Sequence, residues 1–346
     1  MESRSNSDPR QTALKKTIVI TSIFQPTEAV RAFARMSDHH TIVVGDKKTP
    51  AGWSLDGVDY LSVEEQEKSP HSLARHLPFN HYCRKMLGYL RAIERGAEVV
   101  IDTDDDNIPK PGWSFPPFDG THDQLPAELG FINIYRLFTR QHIWPRGLPL
   151  DSVLKKTELE TSLGDCRVGI WQGLADGDPD VDAIYRLTNG AECIFESRSP
   201  VVLGAGTVTP FNSQNTAIRR ELFPLLYLPV FVTFRFTDIL RGLVAQPIMA
   251  ASGYSLGFID ANVFQERNPH DYMKDFDSEI PVYQHSRAVF EIASEVVSPE
   301  LSIATNLMVV YRNLEREGIV QTEEIVALEA WLNDLEKITG NSNSGR

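Results

Sequence analysis

The chain has 346 residues, 42% of them hydrophobic, and carries a net charge of −13 with a pI near 5.2. That is apolar material for one large domain or two ordinary ones, and the acidity argues against a general polyanion binder, since nucleic acid is held mainly by clustered Lys and Arg. The three cysteines, Cys83, Cys166 and Cys193, are widely spaced with no C-x-x-C pair, which speaks for structural thiols rather than a disulfide framework or a zinc knuckle.

Residues 1–15 are polar and mixed in charge and are expected to be disordered, as is the tail 339–346. No signal peptide is legible, and the longest apolar runs, such as "LPVFVTF", are too short for a bilayer. A cytoplasmic protein without an integral membrane segment is expected. The first third then alternates. "KTIVITSIF" reads as a strand, "PTEAVRAFARMS" as a helix with Pro26 in its first turn, "HTIVVGD" as a second strand, and "VDYLS" as a short third one. "NHYCRKMLGYLRAIERGAE" is a helix with Cys83, Leu87, Leu90, Ile93 and Ala97 on one face and Gly96 placed to stop it. "EVVID" is the next strand. Alternation of this kind, with continuously apolar strands, predicts a mainly parallel sheet covered on both faces. Residues 107–230 are rich in Pro, Gly and aromatics and read as loop-heavy, with short strand-like pieces. From Ser286 to Ile338 the pattern is helical, so a helical extension over 286–338 is expected to follow a sheet domain over 16–285, itself split near residue 110 into a nucleotide-binding and an acceptor half.

The strand "EVVID" runs into Thr103 and then Asp104, Asp105 and Asp106. Adjacent carboxylates repel and raise one another's pKa unless a partner neutralises them. A hard divalent cation, Mg²⁺ or Mn²⁺, is such a partner; it takes one or two carboxylates and fills its shell with substrate phosphate and water. Ligands of open parallel sheets bind beyond the carboxyl ends of the strands, and alternation after a strand sends Asp104 and Asp106 one way and Asp105 the other. Asp104 and Asp106 are therefore the expected metal ligands. With a nucleoside diphosphate as ligand, Thr21 and Ser22 at the first strand end would meet base or ribose. Asp46 at the second would accept from a base N–H, Lys47 would meet phosphate, and Arg84 near the N-terminal end of the next helix would answer a pyrophosphate. An exposed face is the expectation for Arg91 and Arg95. Neither a Walker A pattern nor G-x-G-x-x-G follows the first strand.

"IVVGDKKTPAGWSLDGVDYLSVEEQ" and "HLPFNHYCRKMLGYLRAIERGAEVVIDTDDDN" resemble the core of the STELLO-type glycosyltransferase-like family and, more distantly, the reversibly glycosylated polypeptides or UDP-arabinopyranose mutases. "GLADGDPDVDAIYRLT", "PFNSQNTAIRRELFPLLYLPV" and "RFTDILRGLVAQ" keep the mutases' motif order, so the resemblance spans about residues 17–285. It implies a GT-A fold: a Rossmann-like nucleotide-binding half joined to an acceptor half around one mixed, mainly parallel sheet. It also implies a nucleotide-sugar donor, a UDP-sugar by preference, and a hydroxyl-bearing acceptor such as a glycan or glycoconjugate. By the same resemblance Asp105 would touch ribose or sugar and Asp46 the base. Asp180 and Asp182 would close over the donor sugar, Asn212, Gln214 and Asn215 would offer amides to its hydroxyls, and Asp238 would be the general base. Local readings stand beside these: Asp180 as a turn cap, Asn212 as cap of a helix "SQNTAIRREL", and Asp238 paired with Arg235 or Arg241. The arginine-bearing segment that becomes glycosylated in the mutases has no clear match, and "ANVFQERNPH" replaces another of their elements, with His270 or His285 left as candidate further metal ligands.

The leading expectation is thus a metal-dependent glycosyltransferase, a hexosyl- or pentosyltransferase of polysaccharide or glycoconjugate synthesis. The alternatives are a nucleotide-sugar pyranose/furanose mutase and a non-catalytic assembly protein.

Overall fold

A computed structural model describes residues 15–266 and 271–343; the expected N-terminal disorder, His270 and residues 344–346 lie outside the described residues. The first third builds as its alternation predicts. β1 (Lys16–Thr21) leads to α1 (Glu28–Ala34), where the Thr27 hydroxyl accepts from the Val30 amide and caps the helix, with Pro26 just ahead of the cap. β2 (His39–Val44) and β3 (Val58–Leu61) follow. Ser62 and Glu65 then form a capping box that starts α2 (Val63–Glu67). A single 3₁₀ turn over Tyr82–Arg84 enters α3 (Lys85–Glu94). Gly96, at φ 79°, stops α3 in the left-handed region that favours glycine. β4 (Val99–Thr103) is buried along its whole length.

Next come β5 (Asn107–Pro109), β6 (Asp119–Gln124), β7 (Gly130–Phe131) and the long β8 (Ser162–Gly177). They are followed by α4 (Ala183–Thr188), β9 (Val201–Val202), β10 (Thr207–Val208), β11 (Asn215–Arg219), α5 (Thr237–Ala251) and β12 (Ser255–Gln265). The chain closes with α6 (Tyr272–Val296), α7 (Ile303–Arg316) and α8 (Thr322–Asn343). Two expectations change here. The helix read over "SQNTAIRREL" is β11 followed by a 3₁₀ turn, because Asn215–Arg219 is clamped between β4 and β8, antiparallel to both. The helical run starts at Tyr272, ahead of Ser286, and α8 continues past residue 339.

Among the described residues ten strands make one mixed sheet in the order β3-β2-β1-β4-β11-β8-β6-β9-β12-β5, flanked by helices. β3, β2, β1 and β4 are parallel, and so is the long β8–β12 pair; antiparallel β11 joins the two groups. Both faces are covered. Val19, Ile42, Val44 and Val100 pack toward Leu87, Leu90 and the C-terminal helices, while Ile18, Ile20, Val43 and Ile101 pack toward α1, Trp53 and Trp113. That two-sided burial is why these strands read as unbroken apolar runs. α3 lies so close to the sheet that a Cβ on Gly88 would stand 2.6 Å from Val19 Cγ1 and 2.7 Å from Val44 Cγ2. All three cysteines are buried free thiols. No helix among the described residues is long and apolar enough to cross a membrane.

Candidate functional site

β4 delivers the acidic triplet. Thr103 is its last, fully buried residue; the chain turns through residues 104–106, and Asn107, opening β5, donates its side-chain amide to the Gln214 carbonyl at 2.6 Å. Asp104 and Asp106 line one cavity of about 170 Å³ with Arg146, Asp180, Gln214, Arg235, Asp238 and Gln265. Asp105 turns the other way. Its carboxylate accepts from the Ser22 hydroxyl at 2.5 Å and its carbonyl from Thr27 Oγ1 at 2.5 Å, which ties the turn to β1 and to the cap of α1. The alternation anticipated for a D-x-D pair is present. Ser22, so engaged, is turned to the triplet.

Beneath the triplet lies a buried cation. Lys85, the first residue of α3, donates to Asp102 Oδ1 at 2.8 Å, to Asp104 Oδ1 at 3.0 Å and to the Thr103 carbonyl at 2.9 Å. Arg241 of α5 donates to the other Asp102 oxygen at 2.9 Å and to the Asn212 carbonyl at 3.0 Å. Burial disfavours the Lys85 charge, yet the Asp102 and Asp104 carboxylates hold its pKa above the ordinary lysine value. The Asp104 side chain is 38% exposed and faces the cavity. Desolvation there pushes its carboxyl up to about 7 against the pull of Lys85, with Asp106 and Asp102 adding to the rise. Burial likewise takes Asp105 up to about 6, despite its bond from Ser22.

Arg146, which had no place in the expected site, organises another part of the cavity lining. Its guanidinium donates to Asp180 through two bonds of 2.8 Å and to Asp238 through two of 3.0 Å, and it also meets the Arg235 carbonyl. Asn212 Nδ2 adds a bond to Asp180 at 2.8 Å, and the Ser213 amide one to Asp238 at 3.2 Å. Arg235 pairs with Glu279 at 2.7 Å. Burial works against the Asp238 charge, but Arg146 overrides it and brings the carboxyl down to about 2. This carboxylate, the one expected to serve as general base, lines the cavity and accepts from Arg146, Ser213 and the Ile239 amide. Its ion pair runs to Arg146, with Arg241 and then Arg235 contributing at longer range.

Other expected site residues disperse. Gln214 lines the cavity beside Gln265. Asn215 lies inside β11, fully buried, and donates to Asn262 Oδ1 at 2.6 Å; Asn212 caps no helix. Asp182 is fully buried as the N-cap of α4 and accepts from the Trp144 indole at 2.7 Å, so its carboxylate is spent on structure. Arg84 points inward, donating to Gln66 and the Leu77 carbonyl and stacking 3.8 Å from the Phe79 ring centre, which removes it from any pyrophosphate. Asp46 accepts from the Lys47 and His81 amides, and the exposed Lys47 ammonium sits 4.2 Å over Phe79. Thr21 is half-buried at the end of β1. Arg91 and Arg95 clasp Asp59 at 2.6 Å each. His285 lies beside Phe236, not among the cavity residues.

Lys85, Asp102, Arg146, Arg235, Arg241 and Gln265 had no place in the expected site. Lys85 and Arg241 sit inside the motif segments and carried a signal; Arg146, in "WPRGLP", carried none. The sequence also spells G-x-S-x-G at 253–257. There Ser255 opens β12 straight after α5, a helix-to-strand junction instead of the strand-to-helix turn of a nucleophile elbow.

Comparison with known proteins bears on this arrangement. Residues 235–343 match the family model described as STELLO glycosyltransferases. The chain is 28% identical over 347 residues to probable glycosyltransferase STELLO1 of Arabidopsis thaliana, covering 93% of this chain and 44% of that protein. It is 30% identical over 258 residues to probable glycosyltransferase STELLO2 of the same plant, covering 68% of this chain and 34% of that protein. The chain thus spans less than half the length of either relative. Among solved structures, one described as the crystal structure of a mycobacterial protein aligns with a TM-score of 0.38 and 11% identity, over 82% of this chain and 75% of that one. The family model and the two plant relatives together support the resemblance of this chain to the STELLO-type family.

Proposed function

We propose that the chain is a glycosyltransferase that moves a sugar from a nucleotide-diphosphate-sugar, a UDP-sugar by preference, to a hydroxyl acceptor, on a GT-A type of sheet. The observation that carries the reading is the convergence of Asp104 and Asp106 on one polar cavity that Arg146 and Arg235 also line. The family resemblance supports it, since both plant relatives are named probable glycosyltransferases.

The residues fit a divalent cation, Mn²⁺ or Mg²⁺. Asp104 and Asp106 offer hard carboxylate oxygens to one space, a donor type suited to such an ion. Among the described residues no group of three or more His, Cys, Asp or Glu is placed to cage a metal, so donor phosphate and water would complete the shell. What such a cation supplies is neutralisation of the diphosphate as it leaves. The chain's own part is to present the carboxylate pair from a strand end and to set Arg235 in the lining of the same cavity. Gln214 and Gln265 offer amide groups to sugar hydroxyls along the same lining.

A thermal-shift series tests this. UDP is expected to raise the melting temperature by a few degrees only with Mn²⁺ or Mg²⁺ present, the size set by ligand excess over Kd. An unchanged melting temperature across several nucleotide-sugars with either metal overturns the reading.

A further inference from the structure

Four side chains of alternating charge run from the interior to the cavity: Arg241, Asp102, Lys85 and Asp104. The first three are buried, with Lys85 and Asp102 entirely excluded from solvent. From this geometry we infer that Lys85 is a positioning residue, anchored by Asp102 and Arg241, which fixes the rotamer of Asp104 and leaves one Asp104 oxygen presented to the cavity for a divalent cation. The inference deepens the proposed reading and rests on it.

The Lys85 ammonium has three protons to place, and three acceptors surround it: Asp102 Oδ1, the Thr103 carbonyl and Asp104 Oδ1, all within 3.0 Å. None of its capacity is left over for a ligand, so it acts on the cavity only through Asp104. Asp102 in turn spends Oδ1 on Lys85 and Oδ2 on Arg241, and its backbone is locked in β4 between β1 and β11. An aspartate side chain on a turn has two free torsions; a bond from a fixed ammonium to one of its oxygens removes most of that freedom and aims the other. Arg241 also holds the Asn212 carbonyl, so the same chain of charges reaches the segment that binds Asp180. A purely structural counter-charge offers a different expectation: a positive group 3.0 Å from Asp104 lowers cation affinity through repulsion, and its removal would tighten binding.

The two readings predict opposite signs. Mn²⁺ affinity is measured by titration calorimetry in the presence of UDP for the whole chain, for Lys85→Met and for Asp102→Asn, each checked for cooperative melting. Positioning predicts at least tenfold weaker Mn²⁺ binding in Lys85→Met. It predicts a smaller loss in the same direction in Asp102→Asn, which leaves Lys85 in place but weakly held. Should Lys85→Met fail to melt cooperatively, Asp102→Asn decides alone. Mn²⁺ binding equal to or tighter than that of the unaltered chain, in a variant that folds, overturns the positioning role and leaves the glycosyltransferase reading standing. Absence of Mn²⁺ binding in the unaltered chain overturns both.

Discussion

Asp238 accepts from both terminal nitrogens of Arg146 at 3.0 Å, and Arg146 in turn donates to Asp180, so one guanidinium bridges two cavity carboxylates. Removing one member of such a buried set leaves a charge poorly matched. Asp238→Asn is therefore expected to cost about 2–3 kcal/mol, read as a lower urea midpoint; a midpoint unchanged from the unaltered chain contradicts the clamp. Asp182 gives a pH-dependent counterpart. Burial lifts its carboxyl from the ordinary 3.8 to about 6, against the bonds from Tyr185 and Trp144. Between those values the folded chain keeps a proton that the unfolded chain has released, so stability falls as pH rises from about 4 to about 6 and levels off above. The contribution is on the order of 2–3 kcal/mol. Asp182→Asn keeps the cap and removes this slope; urea midpoints of both proteins across the window measure it, and parallel curves contradict the assignment.

At the scale of elements, α8 is bound to the sheet domain by buried carboxylates. Glu324 accepts from the Val230 amide at 3.0 Å, the Phe231 amide at 2.7 Å and the Tyr227 hydroxyl, and Asp334 accepts from the Leu73 amide at 2.9 Å. Glu324→Ala orphans the buried Val230 amide and takes the partners of the Phe231 amide and the buried Tyr227 hydroxyl, and is expected to destabilise by about 3 kcal/mol, measured by thermal melting; a change within about 0.5 kcal/mol, the level of a surface substitution, contradicts the anchoring role. The elements differ in how far the sequence disclosed them. β1, α1, β2, β3, α3 and β4 were legible because each buries whole faces and carries its own caps, Thr27, Ser62 and Gly96 among them. β8, the longest strand, was hidden in a stretch read as loops. Its Gly169 and Gly173 look like breakers, yet they are there because a Cβ would stand 2.3 Å from Leu222 Cδ1 or from Asn215 Nδ2. β11 read as helix because "NTAIR" has no strict alternation, and only its two neighbours make it a strand.

Across the whole molecule, the cavity gathers residues from the β4–β5 turn, the segments before α4 and β11, α5, and the end of β12, with Arg146 reaching in from the long connection before β8. Local sequence could point to the acidic turn, since three carboxylates at a strand end need a counter-charge. It could not say that Arg146 would line the same cavity, that Arg84 would turn inward, or that Asp182 would cap a helix, because those outcomes are set by contacts between distant segments. The central claim is that Asp104 and Asp106 together hold a cation that holds a sugar-nucleotide's diphosphate. The most direct measurement is a crystal of the chain soaked with Mn²⁺ and UDP. The account predicts an anomalous Mn²⁺ peak bonded to Asp104 and Asp106 and to the UDP phosphates within the cavity they share with Arg235. A Mn²⁺ peak elsewhere, or UDP bound with both carboxylates untouched, would contradict it.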